Sequence, residues 1–293
     1  MPDLSYAVVE PPRVAPPRVS LLASAEEVTD AARWVTGLAF DPLPCGTNGG
    51  ANVDPCETDE TLGSEYVTKT IEPESRLVEY RPYTAYYGDV CSSATFMSRD
   101  FPGRAAAGYA AAESAIMAAE LWDGAIATAA GWDNAYLTDG NDDTVAGVWS
   151  AINGLARLQF ELGLVLPGRG MVHAPRDVAS IWYMAGIIRR EGALLVDAFD
   201  NVIVADTGYS GNGDSNRTST TATVYGTDMV QVRRDGQVRI LPSADEGMTG
   251  GALDRDTNTI EWRAERTVAA YWAGCAHIGI NIDVCATECT EGS

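Results

Sequence analysis

Two acids on one long alanine-rich segment, Glu113 and Glu120 in "FPGRAAAGYAAAESAIMAAELWDGAIA" (residues 101–127), pose the first chemical question. Seven residues is two helical turns, so both carboxylates face the same way. Paired carboxylates can divide acid and base work, but they need a partner to relay the proton. The chain has two histidines, His173 and His277, and neither stands in a catalytic signature. His173 closes the short apolar run "GMVHAP" and reads as a hydrogen-bonded histidine at a strand end. With no partner in view, Glu113 and Glu120 read as a solvated edge or as salt bridges to arginines.

Other chemistries fail on spacing. "GYSG" at 208–211 is one residue short of a nucleophile elbow. "GNGDSN" at 211–216 lacks the third glycine of a dinucleotide loop and opens no helix. Asp254, Asp256, Asn258 and Glu265 match four positions of a calcium loop, but Thr259 stands where glycine is needed. A turn between strands is the better reading there. "NRT" at 216–218 matches a glycosylation sequon without a secretion signal to give it meaning. The six cysteines, Cys45, Cys56, Cys91, Cys275, Cys285 and Cys289, form no CxxC pair. Three readings stay open: buried thiols, disulfides drawn from Cys45, Cys56, Cys285 and Cys289, or a metal site of Cys275, His277, Cys285 and Cys289 whose spacing matches no common zinc pattern. No catalytic residue, metal site or cofactor is expected.

Charge narrows the function classes. Asp and Glu number 41 against 20 Lys and Arg, giving −21. Such a chain repels nucleic acid and anionic membranes unless a basic patch is segregated. No such patch is visible, and Lys69 is the only lysine. The start has no apolar core behind a basic end, so it is not a signal peptide. The longest near-apolar run, "ASIWYMAGII" at 179–188, is about half of the ~20 residues a spanning helix needs. A soluble chain, cytoplasmic where it is made, is expected.

The elements that must position these residues are mixed. "PPRVAPPRV" repeats a proline pair every five residues and predicts an extended arm. "SAEEVTDAARWV" predicts a helix with Ser24 as N-cap and Glu27 completing a capping box. Residues 45–65 read as a long loop, and 76–91 alternate as strand. The long helix should end near Gly124 or Gly131, with Tyr109, Ala112, Ile116 and Ala119 on one face and Met117 beside them. Helices are also predicted over 145–162 and from Arg176 to a stop at Gly192. "GMVHAP" and "NVIVADTGY" read as strands. "DMVQVRRDGQVRILP" reads as a hairpin turning at Asp235-Gly236, and 259–284 as two strands that close the sheet.

The order of these segments resembles the major capsid proteins of tailed double-stranded DNA phages and the related encapsulins, the Hong Kong phage capsid fold. The local likeness lies in "YRPYTAYYGDVCSS" running into "GYAAAESAIMAAELWDGAIA", where Ala112, Ile116, Glu120, Leu121, Asp123 and Gly124 follow the family's helix pattern. "RGMVHAPRDVASIWYMAGIIRREGALL" is similar to the axial-domain strand and helix, and "TIEWRAERTVAAYWAGCAHIGINID" to the terminal strands. The resemblance implies an α+β fold with an N-terminal arm and short helix over 1–44, and an extended loop with flanking strands over 45–90. A peripheral domain with a spine helix would follow over 91–140 and an axial domain over 141–250. The terminal peripheral strands and tail would fill 251–293. It implies a non-enzymatic subunit that assembles with itself into pentamers and hexamers of an icosahedral head, assembled in the host cytoplasm and resident in the virion. The head would enclose double-stranded DNA without sequence-specific binding, with scaffolding, portal and decoration proteins as further partners and no membrane. The alternatives are an encapsulin-like compartment shell, a tail or decoration protein, or a cysteine- or metal-dependent hydrolase. Some family members cross-link a loop lysine to a neighbour's asparagine, which makes Lys69, Asn258 and Asn281 the cross-link candidates here. Glu113 and Glu120 become candidates for salt bridges between subunits. The family's cleaved helical leader has little room before this arm.

Overall fold

The computed structural model describes residues 18–30, 34–40, 77–92, 100–209, 220–242, 253–254 and 259–284. Within them the chain builds two main sheets joined at their ends. The arm through Pro17, the loop from 45, the sequon at 216–218, Lys69, Asn258, Cys45, Cys56, Cys285 and Cys289 lie outside the described residues.

The first sheet has six strands grouped around β14 (Thr259–Tyr271), the longest of them. β4 (Tyr83–Ser92) runs antiparallel along one edge of β14, from Val268 opposite Tyr83 to Thr259 opposite Ser92. Along the other edge lie β11 (Gln231–Asp235), β12 (Arg239–Pro242) and the short β13 (Leu253–Asp254). β1 (Glu26–Asp30) adds to β11 in parallel. A separate ribbon pairs β2 (Leu38–Phe40) with β3 (Val78–Tyr80). Helix α2 (Phe101–Asp123) lies across this sheet. Its start is set by Asp100, whose side chain accepts from the Gly103 N–H, with Pro102 in the first turn. Gly124 ends it in the left-handed region, and the short α3 (Ala125–Ala130) follows.

The second sheet orders seven strands as β5 (Val145–Ser150), β15 (His277–Asp283), β10 (Thr221–Thr227), β6 (Met171–His173), β9 (Val202–Val204), β8 (Leu194–Val196) and β7 (Arg189–Glu191). Helices α4 (Ala151–Val165) and α5 (Arg176–Met184) cover one face. Strand alternation divides the side chains between two cores. Val172, Ile203, Val224 and Ile280 point toward α4 and α5, whereas Met171, Val202, Val204 and Tyr225 join the core beneath α2.

Several expectations are corrected. The segment after Ser24 is strand β1, not a capped helix: Ser20 caps only the four-residue α1 (Leu21–Ser24). Parallel pairing of 26–30 with β11 satisfies its backbone instead. Residues 145–150 form β5 ahead of α4, and α5 stops at Met184, well before Gly192. β11 and β12 make no hairpin at Asp235-Gly236. Both run in the same direction along β14, with Arg234 opposite Val268 and Arg239 opposite Glu265. Strand partnership crosses residue 250. β11 and β12 belong with β14, while β15, placed with the terminal peripheral strands, lies inside the seven-stranded sheet between β5 and β10.

Candidate functional site

The buried face of α2 carries both acids. Glu113 and Glu120 are each 5% exposed, alongside Phe101, Ala105, Tyr109, Met117, Leu121 and Trp122. Ala112, Ile116 and Ala119, grouped by spacing with Tyr109 on one face, are only half-buried. The buried face is therefore rotated toward the acids, and the carboxylates need partners in the interior.

Glu113 finds three. Arg266 on β14 donates to Oε1 at 2.9 Å, Arg234 on β11 donates to Oε2 at 2.9 Å, and the Tyr109 hydroxyl donates to Oε1 at 3.0 Å. Arg234 also pairs with Glu27 on β1. Burial works against the Arg234 charge, but Glu27 and Glu113 outweigh it and hold the guanidinium above its usual range. Burial, together with the Glu113 charge and hydrogen bond, pushes the Tyr109 hydroxyl well up. The network ties α2 to three strands of one chain, so the ion pairs foreseen between subunits are internal at Glu113.

Glu120 has no ion pair among the described residues. Its two oxygens accept from the Ile126 and Ala127 N–H groups at 2.7 and 2.8 Å, which caps α3 from one helix back. Burial raises its pKa, opposed by those two amides.

The structure adds two acids that sequence spacing did not single out. Asp206, fully buried, accepts from the Leu21 N–H at 2.8 Å and from Ser114 Oγ at 2.7 Å. It pins the entering chain to the spine helix across 185 and 92 residues of sequence. Asp228 follows β10 and accepts from the Ala273 and Ala276 N–H groups at 2.7 and 3.3 Å. Burial raises its pKa against the pull of those amides. The one available signal was local: each acid stands just past a strand end, in "VIVADTG" and "YGTDMV".

His173 is fully buried. Its Nδ1 lies 2.8 Å from the Tyr209 hydroxyl and its Nε2 2.9 Å from Thr227 Oγ1. Thr227 gives its own hydrogen to the Asp228 carbonyl, so the histidine donates from Nε2 and accepts at Nδ1. Burial, with a smaller contribution from His277, lowers its pKa to about 3. It is a neutral structural histidine. Tyr209 stacks on Trp122 of α2 at 5.0 Å, and Tyr225 meets Trp122 edge-on at 5.3 Å. These rings fasten the end of α2 to the second sheet.

Among the described residues around them, no nucleophile, base and oriented third group are brought together. Among the described residues no group of three or more His, Cys, Asp or Glu could hold a metal. Cys275 is disulfide-bonded, so it is neither the free thiol nor the metal ligand that two of the sequence readings made it. His277 instead bonds the Leu137 carbonyl through Nε2 at 3.0 Å. Asn281, a cross-link candidate, sits within β15 and accepts from Thr223 Oγ1 at 3.0 Å. Among the described residues no helix is long and apolar enough to cross a membrane.

What these groups do is hold a long helix, two sheets and an entering strand in one arrangement, and that arrangement is shared. No family model and no curated protein matches the sequence. The capsid of a native GTA particle, solved with C5 symmetry, superposes with a TM-score of 0.54 at 12% identity, over 96% of this chain and 95% of that one. The SrpI encapsulin of Synechococcus elongatus gives 0.54 at 8% identity over 96% and 94%. A structure of Microbacterium phage Oxtober96 gives 0.51 at 14% over 96% and 95%. Over nearly its whole length, this chain has the fold of the tailed-phage capsid proteins and encapsulins.

Proposed function

We propose that the chain is the structural subunit of an icosahedral phage head, assembling with itself into pentamers and hexamers around packaged double-stranded DNA. One observation carries this reading: the near-complete overlap, in both chains, with proteins that form closed shells. The buried chemistry supports it. Glu113, Glu120, Asp206, Asp228 and His173 are all occupied by internal partners, which suits a load-bearing scaffold. On this reading the subunit is non-enzymatic and resides in the virion, as its capsid neighbours suggest. The excess of acids would keep a wall of such subunits from gripping DNA.

Expression of the chain with electron microscopy of the product tests this. Closed shells with fivefold and sixfold clusters are expected, and a stable monomer or dimer at all concentrations would overturn it. The encapsulin neighbour supports a second reading, a protein compartment. Particles from the native source would then hold protein cargo, whereas a head holds double-stranded DNA.

A further inference from the structure

A hollow of about 840 Å³ opens where the connection from α3 to β5 meets the passage from β14 to β15. Trp132, Tyr136 and Trp272 give it an aromatic wall, and Asp133, Asp139 and His277 stand among them. No arginine or lysine is among the described residues that line it. Two of these groups face each other with no donor between them. His277 gives its Nε2 hydrogen to the Leu137 carbonyl at 3.0 Å, so the neutral ring presents a lone pair at Nδ1. That nitrogen lies 3.8 Å from Asp139 Oδ1, and the two side chains are only 11% and 10% exposed. Asp139 takes the Asn141 N–H at 2.8 Å, but among the described residues no arginine or lysine answers its charge.

Two acceptors nearly out of water and turned toward each other leave a place for a positive group that donates twice. A proton on Nδ1 would answer the pair but leave the hollow and its aromatic wall unused. A metal ion is the poorer fit, because among the described residues no third His, Cys, Asp or Glu joins the pair. An ammonium nitrogen about 2.9 Å from each atom gives a hydrogen to both. Aromatic side chains suit such a cation and the methylenes it carries. Asp133, exposed and without a hydrogen bond or ion pair among the described residues, stands in the same lining as the acceptor for a second ammonium. We propose that this hollow binds a small diamine or polyamine. One ammonium sits on His277 Nδ1 and Asp139, the methylenes lie along Trp132, Tyr136 and Trp272, and a further ammonium meets Asp133. The charge of −21 draws such cations from a distance. The site lies within one chain, so it stands or falls apart from the shell reading.

Calorimetric titration of the full-length chain with spermidine tests it, in about 0.15 M salt so that diffuse attraction is screened. One saturable site per chain is expected, and its absence overturns the proposal. Asp139→Asn keeps an oxygen for the Asn141 N–H and should weaken binding about tenfold or more. Glu191→Gln removes the same charge from β7, at the far edge of the second sheet, and should leave the affinity unchanged. Equal weakening by the two would mean diffuse attraction and overturn the proposal. Asp133→Asn changes an exposed side chain, so it gives a reading even if thermal melting shows that Asp139→Asn misfolds. It should weaken spermidine and spare butylamine, which has one ammonium and is measured by competition. Loss of both ligands, or of neither, overturns the proposal. 1,6-Hexanediol, with hydroxyls in place of ammonium groups, should not compete. Competition by the diol would mean that the apolar wall alone binds, and displacement of spermidine by an equal concentration of zinc would mean a metal site. Either outcome overturns the proposal.

Discussion

Glu113 and Glu120 lie seven residues apart on the same buried face, yet they do different jobs. Glu113 balances two half-buried arginines, and Glu120 terminates hydrogen bonding at a helix start. Glu113→Gln leaves Arg266 without its carboxylate and Arg234 with Glu27 alone, and should destabilise the chain by about 2–4 kcal/mol. Glu120→Gln keeps a carbonyl acceptor and should lose only about 1 kcal/mol. Urea unfolding of both variants checks the ranking; equal losses would show that Glu113 is not carrying a charge balance. His173 adds a pH term. Its pKa falls from 6.5 to about 3 on folding, so below about pH 6.5 the unfolded chain takes up a proton that the folded chain refuses. The stability it contributes is full above that pH and drains away as pH falls toward 3, by on the order of 2 kcal/mol at about pH 5. The raised carboxyls of Glu120 and Asp228 shift stability the opposite way in acid. The measurement is therefore the difference between wild type and His173→Gln. The variant should lose less stability between about pH 7 and 5 by that amount, and parallel pH curves would refute a buried neutral histidine.

At the scale of elements, the alanines of α2 have a definite use. An added Cβ at Gly208 would lie 2.3 Å from the Ala115 carbonyl oxygen, 2.5 Å from the Ala119 nitrogen and 2.9 Å from Ala118 Cβ. The backbone after β9 rests directly on the helix, which only small residues on both sides permit. Gly208→Ala should cost about 1–3 kcal/mol through overpacking. Gly163, exposed in α4 with nothing near its missing Cβ, gives the contrast: Gly163→Ala should stabilise by about 0.5–1 kcal/mol. Thermal melts of the two variants should move in opposite directions. The long helix, its glycine stop, the strands of 76–91 and 259–284 and the segment order were legible because they depend on local propensity and periodicity. Sheet partnership was not. "SAEEVTD" has an adequate helical cap pattern, but a strand 205 residues away offers it backbone partners. Asp235-Gly236 between alternating arms reads as a turn, but two extra residues on that side merely bulge past Arg266 and Thr267 while the strand continues along β14. The site was half legible for the same reason. Glu113 and Glu120 stand out by spacing, whereas Asp206 and Asp228 acquire their roles only from amides far away in sequence.

For the whole molecule the telling feature is that two sheets are joined by two passages of chain side by side. One runs from β10 to β11 through Asp228, the other from β14 to β15 through Ala273 and Ala276. Asp228 bonds across them, so one carboxylate sets how the two sheets meet. The aromatic contacts of Trp122 with Tyr209 and Tyr225 form the second fastening, at the end of the spine helix. In a shell subunit this joint fixes the angle between the part that would build the capsomer and the part that would join capsomers, and closure tolerates little error in such an angle. Asp228→Ala removes the acceptor and leaves two buried amides unpaired, at a cost of about 1–3 kcal/mol each at most. The core beneath α2 takes side chains from both sheets, so the loss should loosen the joint without separating the sheets. The variant should therefore keep wild-type circular dichroism and a single unfolding transition in calorimetry, shifted to lower temperature. If the chain assembles as proposed, the variant's shells, counted by electron microscopy, should be fewer and irregular in size. Uniform shells and one unchanged transition would mean that the aromatic fastening alone holds the sheets in place.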